Sequence, residues 1–142
     1  MSDMERRITL RLLAYWEKLR RGRPMPDEQD IRSEDIADLW DYCFLVRVKD
    51  LDNYVHLGQA IIDAYHHGLD EITPVPLVSP NPRHLTKGYD QVRFTARPLM
   101  EDGEFRNLRN HKVKYRQCLL PLGQGTDVQA VFGVMRFKLF PA

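Results

Sequence analysis

The chain has 142 residues, of which 43% are hydrophobic and 29% charged, and its formal net charge is +1. This length fits one domain that buries roughly two-thirds of its unfolded surface, and the composition is that of an ordinary globular protein. The longest apolar runs, such as residues 12–16, are far shorter than the roughly 20 residues of a membrane span. The N-terminus carries Glu5 and no apolar signal core, so we expect a cytoplasmic protein without a membrane partner.

The first element predicted along the chain is an amphipathic helix over residues 1–21. Its apolar side chains recur at helical spacing and form a stripe of Met4, Ile8, Leu12, Tyr15 and Leu19, widened by Leu13 and Trp16. Gly22 supplies a C-cap, and Pro24 prevents the helix from continuing. Because the stripe is apolar, it needs a partner surface to cover it.

A short helix and two strands are predicted next. Ser33, which is followed by acidic residues, is a favourable N-cap for the short helix, which should end near Asp41. The expected strands cover residues 43–48 and 54–57, and a turn at residues 51–53 separates them.

A helix, a loop and another helix are predicted in the middle of the chain. Residues 60–65 carry a helical apolar stripe. Residues 69–82 contain four prolines and should form an irregular loop. The later helix is expected to begin near Pro82 and to end before Pro98.

Three strands are predicted to complete the chain, over residues 105–109, 113–122 and 128–140. In the last strand, Val131, Met135, Phe137 and Leu139 form one face, and Ala130, Phe132 and Val134 form the other. Since both faces are apolar, both should be covered, one by the core and the other by the first helix.

Three groups of segments carry a family resemblance. The first group is Leu13-Ala-Tyr-Trp-Glu with Gly22-Arg23-Pro24-Met25-Pro26 and then Asp30-Ile31, and the second is Tyr54 to Gly58 with Ala60-Ile61. The third is Glu104-Phe105-Arg106-Asn107 with Tyr115-Arg116, Leu119-Leu120-Pro121-Leu122 and Phe132-Gly133-Val134. In this order they resemble a family of small stand-alone bacterial PAS domains. The resemblance implies an α+β fold, with a five-stranded antiparallel sheet in the order 2-1-5-4-3, helices across one face and a long N-terminal helix. Residues 1–142 would then be one domain, in which the helix of residues 1–21 precedes a PAS core of residues 33–142.

The resemblance also implies a small cavity between the sheet and the helices, where PAS domains bind ligands or simply pack side chains. The residues expected to line it are Tyr65, His84, Tyr89, Phe94 and Met135. Haem-binding PAS domains take their axial ligand from a helix in the region of His84, but a lone histidine is usually a surface or hydrogen-bonding residue. A flavin photoreceptor needs a reactive cysteine on the helical side, whereas Cys43 and Cys118 are in predicted strands. We therefore expect no cofactor.

Metal binding and catalysis have little support in the sequence. His66 and His67 are adjacent, so on a helix their side chains point about 100° apart and do not share one metal ion. The sequence contains no recognisable nucleophile–base arrangement and no Gly-rich phosphate loop, so we expect no metal site and no enzyme. The leading hypothesis is a non-catalytic sensory or protein-interaction module in bacterial signalling. It would bind a small ligand or a partner and signal through its N-terminal helix.

A different class of function, the binding of an anionic ligand such as a nucleotide second messenger, is indicated by basic residues near the C-terminus. Residues 104–142 contain seven Lys or Arg against two Asp or Glu. The predicted strands 3 and 4 bring together Arg106, Arg109, Lys114 and Arg116, which could bind such a ligand. Solvated strand faces and edges protected by charge explain the same pattern, and a nucleic-acid partner is not expected.

The apolar stripe of the first helix predicts a homodimer, and a signalling protein is the other expected partner. The residues expected at the dimer interface are Ile8, Leu12, Tyr15, Trp16 and Leu19. In the implied strand order, strand 5 separates strands 1 and 4, so Cys43 and Cys118 should be roughly 9–10 Å apart. A disulfide does not tolerate that separation, and both thiols are expected to be free.

Overall fold

The computed structural model describes residues 3–66 and 88–140, without the side chains of residues 3–6 and of residue 52. Helix α1 spans Asp3–Arg20, close to the predicted bounds. The chain leaves the helix through two residues in the left-handed region, Arg21 with a φ of 50° and Gly22 with a φ of 77°. Glycine adopts this conformation readily because it has no Cβ, but the residue directly after the helix is Arg21 and not the glycine predicted as the C-cap.

The segment after α1 forms three short 3-10 helices and not the predicted capped α-helix. They span Glu28–Asp30, Ser33–Ile36 and Trp40–Tyr42. Ser33 is the first helical residue, so it does not act as the N-cap that the sequence suggested. Ile36 and Leu39 are buried, with 4% and 2% exposure. A 3-10 helix has three residues per turn, so tight turns through this region keep both side chains on the buried side.

Five strands form one antiparallel sheet, and the fold is α+β. The strands are β1 (Cys43–Arg47), β2 (Asp50–Leu57), β3 (Leu99–Arg106), β4 (Lys112–Gln124) and β5 (Asp127–Phe140). Their order is β2-β1-β5-β4-β3, which confirms the expected order, and every neighbouring pair is antiparallel. Strand β5 therefore lies at the centre, paired with β1 on one side and with β4 along nearly its whole length.

Two strands begin earlier than the sequence indicated. Strand β2 starts at Asp50, so the turn lies at residues 48–49 and not at residues 51–53. Strand β3 starts at Leu99 and not at residue 105. Its sequence is acidic and unlike a typical strand, yet all eight of its residues pair with β4. Pairing with a neighbouring strand overrides a weak intrinsic preference of this kind.

Hydrophobic clusters cover both faces of the sheet. On the face that we call the inner face, helices α2 (Gln59–His66) and α3 (Tyr89–Thr95) pack against a cluster that includes Phe44, Ile61, Val92, Val131 and Met135. On the opposite, outer face, α1 packs against β4 and β5 in a cluster that includes Leu12, Trp16, Leu120, Phe132 and Val134. This confirms that β5 is apolar on both faces because one side meets the core helices and the other meets α1.

The helix predicted to end before Pro98 is α3. The left-handed φ of Ala96, 55°, ends it, and the Ala96 amide donates to the Val92 carbonyl at 2.9 Å. The predicted start of this helix near Pro82 and the proline-rich loop of residues 69–82 lie outside the described residues.

Candidate functional site

The first candidate site is the contact between α1 and the outer face of the sheet. Leu12 is fully buried there, and Trp16 is only 3% exposed. The indole Nε1 of Trp16 donates a hydrogen bond of 2.8 Å to the main-chain carbonyl of Pro121 in β4. A buried polar group that loses its partner costs free energy, so this bond holds the helix in one position relative to the strand.

This placement corrects part of the dimer interface expected from the sequence. Leu12 and Trp16 contact the protein's own sheet, whereas Ile8, Tyr15 and Leu19 are half-buried. Side chains that are already covered by their own sheet have no surface left for a second copy. On the side of α1 that faces away from the sheet, Leu10 is 49% exposed.

Polar contacts of Tyr15 and Arg11 connect α1 to the segment that follows it. The Tyr15 hydroxyl donates to Asp35 Oδ2 at 2.9 Å and accepts from the Arg32 amide at 3.1 Å. Burial raises the pKa of the Tyr15 hydroxyl above its ordinary value, so the hydroxyl stays protonated at neutral pH. Arg11 forms a two-pronged ion pair with Asp38, with distances of 2.5 and 3.2 Å. Both of these side chains are more than half exposed, so the pair contributes little to stability.

Three of the residues expected to line a ligand cavity lie on the inner side of the sheet. Tyr89 and Met135 are buried in the inner cluster, with 6% and 0% exposure. Tyr65, in the last turn of α2, is half-buried, and its ring centre lies 6.1 Å from that of Phe105. Tyr89 and Met135 are therefore packed into the core, and Tyr65 lies at its margin.

Phe94, which was also expected to line that cavity, has a side chain that is 87% exposed. Helix α3 turns Tyr89 and Val92 towards the sheet, and Phe94 falls outside this buried stripe. The remaining expected residue, His84, lies outside the described residues.

The turn between β3 and β4 caps the C-terminal end of α2. The donor–acceptor pairs are Asn107 Nδ2 to the Ala64 carbonyl at 3.1 Å, the Leu108 amide to the Tyr65 carbonyl at 3.0 Å, and Arg109 Nε to the His66 carbonyl at 3.0 Å. Three consecutive residues thus satisfy carbonyls that the end of a helix leaves without helical partners. Arg109 was expected in an anion-binding surface with Lys114 and Arg116, and its Nε is instead directed to α2.

The second candidate site is a cavity of about 310 Å³ on the outer face, which we call the basic cavity. Its lining includes Asp102, Lys114, Arg116, Arg136, Lys138 and Phe140. Lys114 pairs directly with Lys138 across β4 and β5, and Arg116 pairs directly with Arg136. Like charges opposite each other on a sheet are destabilising, so stability alone does not favour two such pairs side by side.

Contacts within the basic cavity order two of its arginines. Arg116 donates to both carboxylate oxygens of Asp102, with distances of 2.7 and 3.2 Å. The Arg116 guanidinium lowers the pKa of the Asp102 carboxyl below its ordinary value, so this group is ionised at neutral pH. The guanidinium of Arg136 lies 4.6 Å from the centre of the Tyr42 ring, which is within the range of a cation–π interaction.

Only part of the basic cavity could be found from the sequence. Of the four basic residues expected there, Lys114 and Arg116 line it, and Arg106 lies on the same face of β3 as Asp102. Sequence reasoning missed Arg136 and Lys138, which come from the last strand. The alternation of β5 carries the signal that could have found them, because its even-numbered residues face outwards.

The described side chains offer no cluster suited to a metal ion. Within residues 3–66 and 88–140, no three His, Cys, Asp or Glu side chains are placed to hold one. In the same ranges, no helix combines the length and the apolar character needed to cross a membrane. Cys43 and Cys118 are buried and free, and burial raises the pKa of each thiol to about 12.

A model of the PAS domain family matches residues 4–136, which include β1 to β4 and most of α1 and β5. The chain belongs to the PAS domain family. A comparison with curated proteins found no match. PAS domains are in general sensory and protein-interaction modules without catalytic activity. This PAS domain thus carries two candidate sites on its outer face, the contact with α1 and the basic cavity.

Proposed function

We propose that this protein is a non-catalytic PAS module in bacterial signalling, located in the cytoplasm, with residues 1–142 as one domain. It binds a small ligand or a partner protein and transmits that event through α1. The observation that supports this proposal is the buried hydrogen bond from Trp16 to Pro121, because it couples α1 directly to the sheet.

Strand β4 provides a physical route from the inner face to α1. Its residues alternate between the two clusters, with Leu119 in the inner cluster and Leu120 in the outer cluster. A ligand or partner that displaces β4 from the inner side also displaces the carbonyl that binds Trp16. Packed interfaces respond to such displacements by moving between discrete arrangements, so α1 changes its packing as a unit.

The indole N–H of Trp16 allows a direct test by nuclear magnetic resonance. Native mass spectrometry of the purified protein first identifies any small molecule that co-purifies with it. Removing that molecule is expected to shift the Trp16 indole signal and to accelerate amide exchange in α1. Trp40→Phe leaves Trp16 as the only tryptophan and makes the assignment unambiguous. A bound molecule whose removal leaves both Trp16 and α1 unchanged would contradict transmission through this helix.

The proposed homodimer uses the side of α1 that faces away from the sheet. Leu10 at 49% exposure supports this, with the half-buried residues Ile8, Tyr15 and Leu19 at the margins of the same helix. In a two-fold pair, each of these residues meets the equivalent surface of the other copy. A second protein of the signalling pathway could use the same surface in place of the second copy.

Light scattering tests the dimer. The wild-type protein is expected at twice the chain mass of 16.7 kDa, and Leu10→Asp is expected at the monomer mass. Phe94→Asp is the matched control, because it replaces an exposed apolar side chain on α3, on the inner side of the sheet. A wild-type monomer at high micromolar concentration, with α1 folded, would exclude the homodimer.

A further inference from the structure

We propose that the basic cavity binds an organic phosphate, a small ligand that carries at least two negative charges on its phosphate groups. This site lies on the outer face of the sheet, so the proposal does not depend on whether a ligand is bound on the inner face. It goes beyond the sensory function proposed above, because it specifies the chemical class of a ligand and the side chains that would bind it.

The charge of the cavity matches such a ligand. Its lining contains four cations and the carboxylate of Asp102, which leaves a formal charge of +3. Glu104 pairs with Lys114 across β3 and β4 on the same face, but Arg106 lies on that face of β3 as well, so these two neighbours offset each other and the charge stays at about +3. A ligand with two or more negative charges therefore neutralises most of this charge, whereas a single carboxylate does not.

The side chains also have the geometry that phosphate oxygens require. Arg116 donates to the two oxygens of Asp102, so its guanidinium is oriented to bind an oxyanion in the planar, two-pronged manner, and a phosphate would displace Asp102 from these donors. Arg136 is held against the ring of Tyr42, so its guanidinium is ordered before a ligand arrives. Lys114 and Lys138, the cross-strand pair next to Arg116 and Arg136, supply two further cations. Their ammonium groups bind phosphate as point charges.

Size and partial burial favour a small molecule. A volume of about 310 Å³ lies at the lower end of small-molecule sites, enough for a phosphorylated sugar or a compact nucleotide. The Arg116 side chain is only 27% exposed, so its interaction with an anion is screened less than that of a fully exposed cation. At the rim, Phe140 is 38% exposed and lies 5.3 Å below the ammonium of Lys114, and it offers an apolar surface to the organic part of the ligand.

Substitution of the cross-strand pair Lys114 and Lys138 distinguishes a role in ligand binding from a role in the stability of the fold. Two ammonium groups directly opposite each other repel, and removing the repulsion should leave the folded protein equally stable or more stable. Lys114→Gln with Lys138→Gln is therefore expected to weaken phosphate binding without lowering the melting temperature. A surface that served only the fold would show the reverse, a loss of stability with no change in binding.

Calorimetric titration with inorganic pyrophosphate tests the proposal at about 0.01 M salt, where screening is weak. The wild-type protein should bind one pyrophosphate saturably, and the double lysine variant should bind at least about fivefold more weakly. Asp102→Asn should bind more tightly than wild type, because it removes the carboxylate that competes for Arg116. Arg93→Gln is the matched control, since it removes one exposed positive charge from α3 on the other side of the sheet and should bind like wild type.

Two further titrations define the ligand. The affinity of a nucleoside diphosphate is compared with that of pyrophosphate. If the two affinities are equal, the phosphate groups alone account for binding. If the nucleoside diphosphate binds more tightly and Phe140→Ala removes this gain, the organic part of the ligand contacts Phe140. Three results would overturn the proposal: no saturable binding, equal weakening by Arg93→Gln and by the double lysine variant, or a single-stranded DNA that displaces pyrophosphate from the wild-type protein. The last result would identify a nucleic-acid surface in its place.

Discussion

Cys43 and Cys118 lie in one row across the sheet, on either side of Val134. Cys43 pairs with Val134 between β1 and β5, and Cys118 pairs with the same residue between β4 and β5. Two strand spacings therefore separate the cysteines, roughly 9–10 Å, which is too far for a disulfide. This agrees with the separation expected from the strand order, and both thiols are free.

Both thiols are predicted to be unreactive in the native protein and reactive after unfolding. Each has a pKa of about 12 because of burial. At pH 8 about one thiol in ten thousand is then ionised, and the thiolate is the reactive form. Thiol titration of the denatured, unreduced protein should find both groups, and titration of the native protein should find neither. A denatured monomer without free thiols would contradict the placement of Cys43 and Cys118 two strands apart.

Trp16→Phe is predicted to destabilise the protein by about 1–3 kcal/mol, because it leaves the buried Pro121 carbonyl without its donor. Urea unfolding measures the change in free energy. Trp40→Phe is the matched control, since Trp40 is half-buried and stacks on His56 with ring centres 3.8 Å apart. Equal effects of the two substitutions would mean that the hydrogen bond to Pro121 does not hold α1.

Asn107→Ala is predicted to cost about 3 kcal/mol, since several buried hydrogen bonds end on this one side chain. Its Nδ2 caps Ala64, and its Oδ1 accepts from the amides of Arg109 and His111, each at 3.0 Å. Asn110→Gly provides the control, because Asn110 has a φ of 60° that glycine adopts without strain. Thermal unfolding of both variants checks the prediction. A melting temperature of Asn107→Ala equal to that of the wild-type protein would contradict it.

Gly133→Ala is predicted to be among the most damaging single changes in the sheet. A Cβ at this position would overlap the ring of Phe44, which is fully buried and cannot move aside. Overpacking of a core costs about 1–3 kcal/mol and occasionally more. Gly125→Asn is the comparison, because Gly125 has a φ of 58° and open space around it. Unfolding by denaturant should show a much larger loss in the free energy of unfolding for Gly133→Ala than for Gly125→Asn.

The carboxyl of Asp102 is predicted to titrate below its ordinary pKa in the folded protein. A carboxyl whose pKa is lower when folded stabilises the protein above its ordinary pKa, and that contribution is lost as the pH falls through the folded pKa. Its side chain is 61% exposed, so the contribution is small. The chemical shift of the Asp102 carboxyl carbon, followed by nuclear magnetic resonance as the pH is varied, should show this lowered pKa. Arg116→Gln should raise it, and an unchanged value would mean that Arg116 is not its cause.

The strand order and the two-sided burial of β5 were predictable, for different reasons. The order came from a family resemblance in short segments, whereas the burial followed from the alternation of apolar residues such as Phe132 and Val131. Only the burial depends directly on which residues are apolar; the strand order was what the resemblance implied. The strand bounds were less accurate, because the acidic residues of β3 pair with β4 against their own weak preference.

The basic residues were harder to place, because their roles depend on register and on distant elements. Arg109 lies five positions before Lys114 of the basic cavity, but the β3–β4 turn brings it to the end of α2. Arg136 and Lys138 are remote in sequence, and only the β4–β5 register sets them opposite Arg116 and Lys114. The alternation of β5 assigns Arg136 and Lys138 to its outer face, but neither the β4–β5 register nor the contact of Arg109 with α2 follows from the spacing of the charged residues.

Pro121 has a consequence for how other chains can approach this protein. Strand β4 continues past Leu119, the last residue that pairs with β3, so its final residues form an edge of the sheet that no further strand pairs with, although residues 120–123 are buried. Proline has no amide hydrogen to offer there, and the Gly123 amide is already bound to the Pro26 carbonyl at 2.9 Å. An incoming strand finds this edge already occupied, which protects the protein from edge-to-edge aggregation. Any protein that docks at this end of the sheet must therefore recognise side chains and not extend the sheet by a further strand.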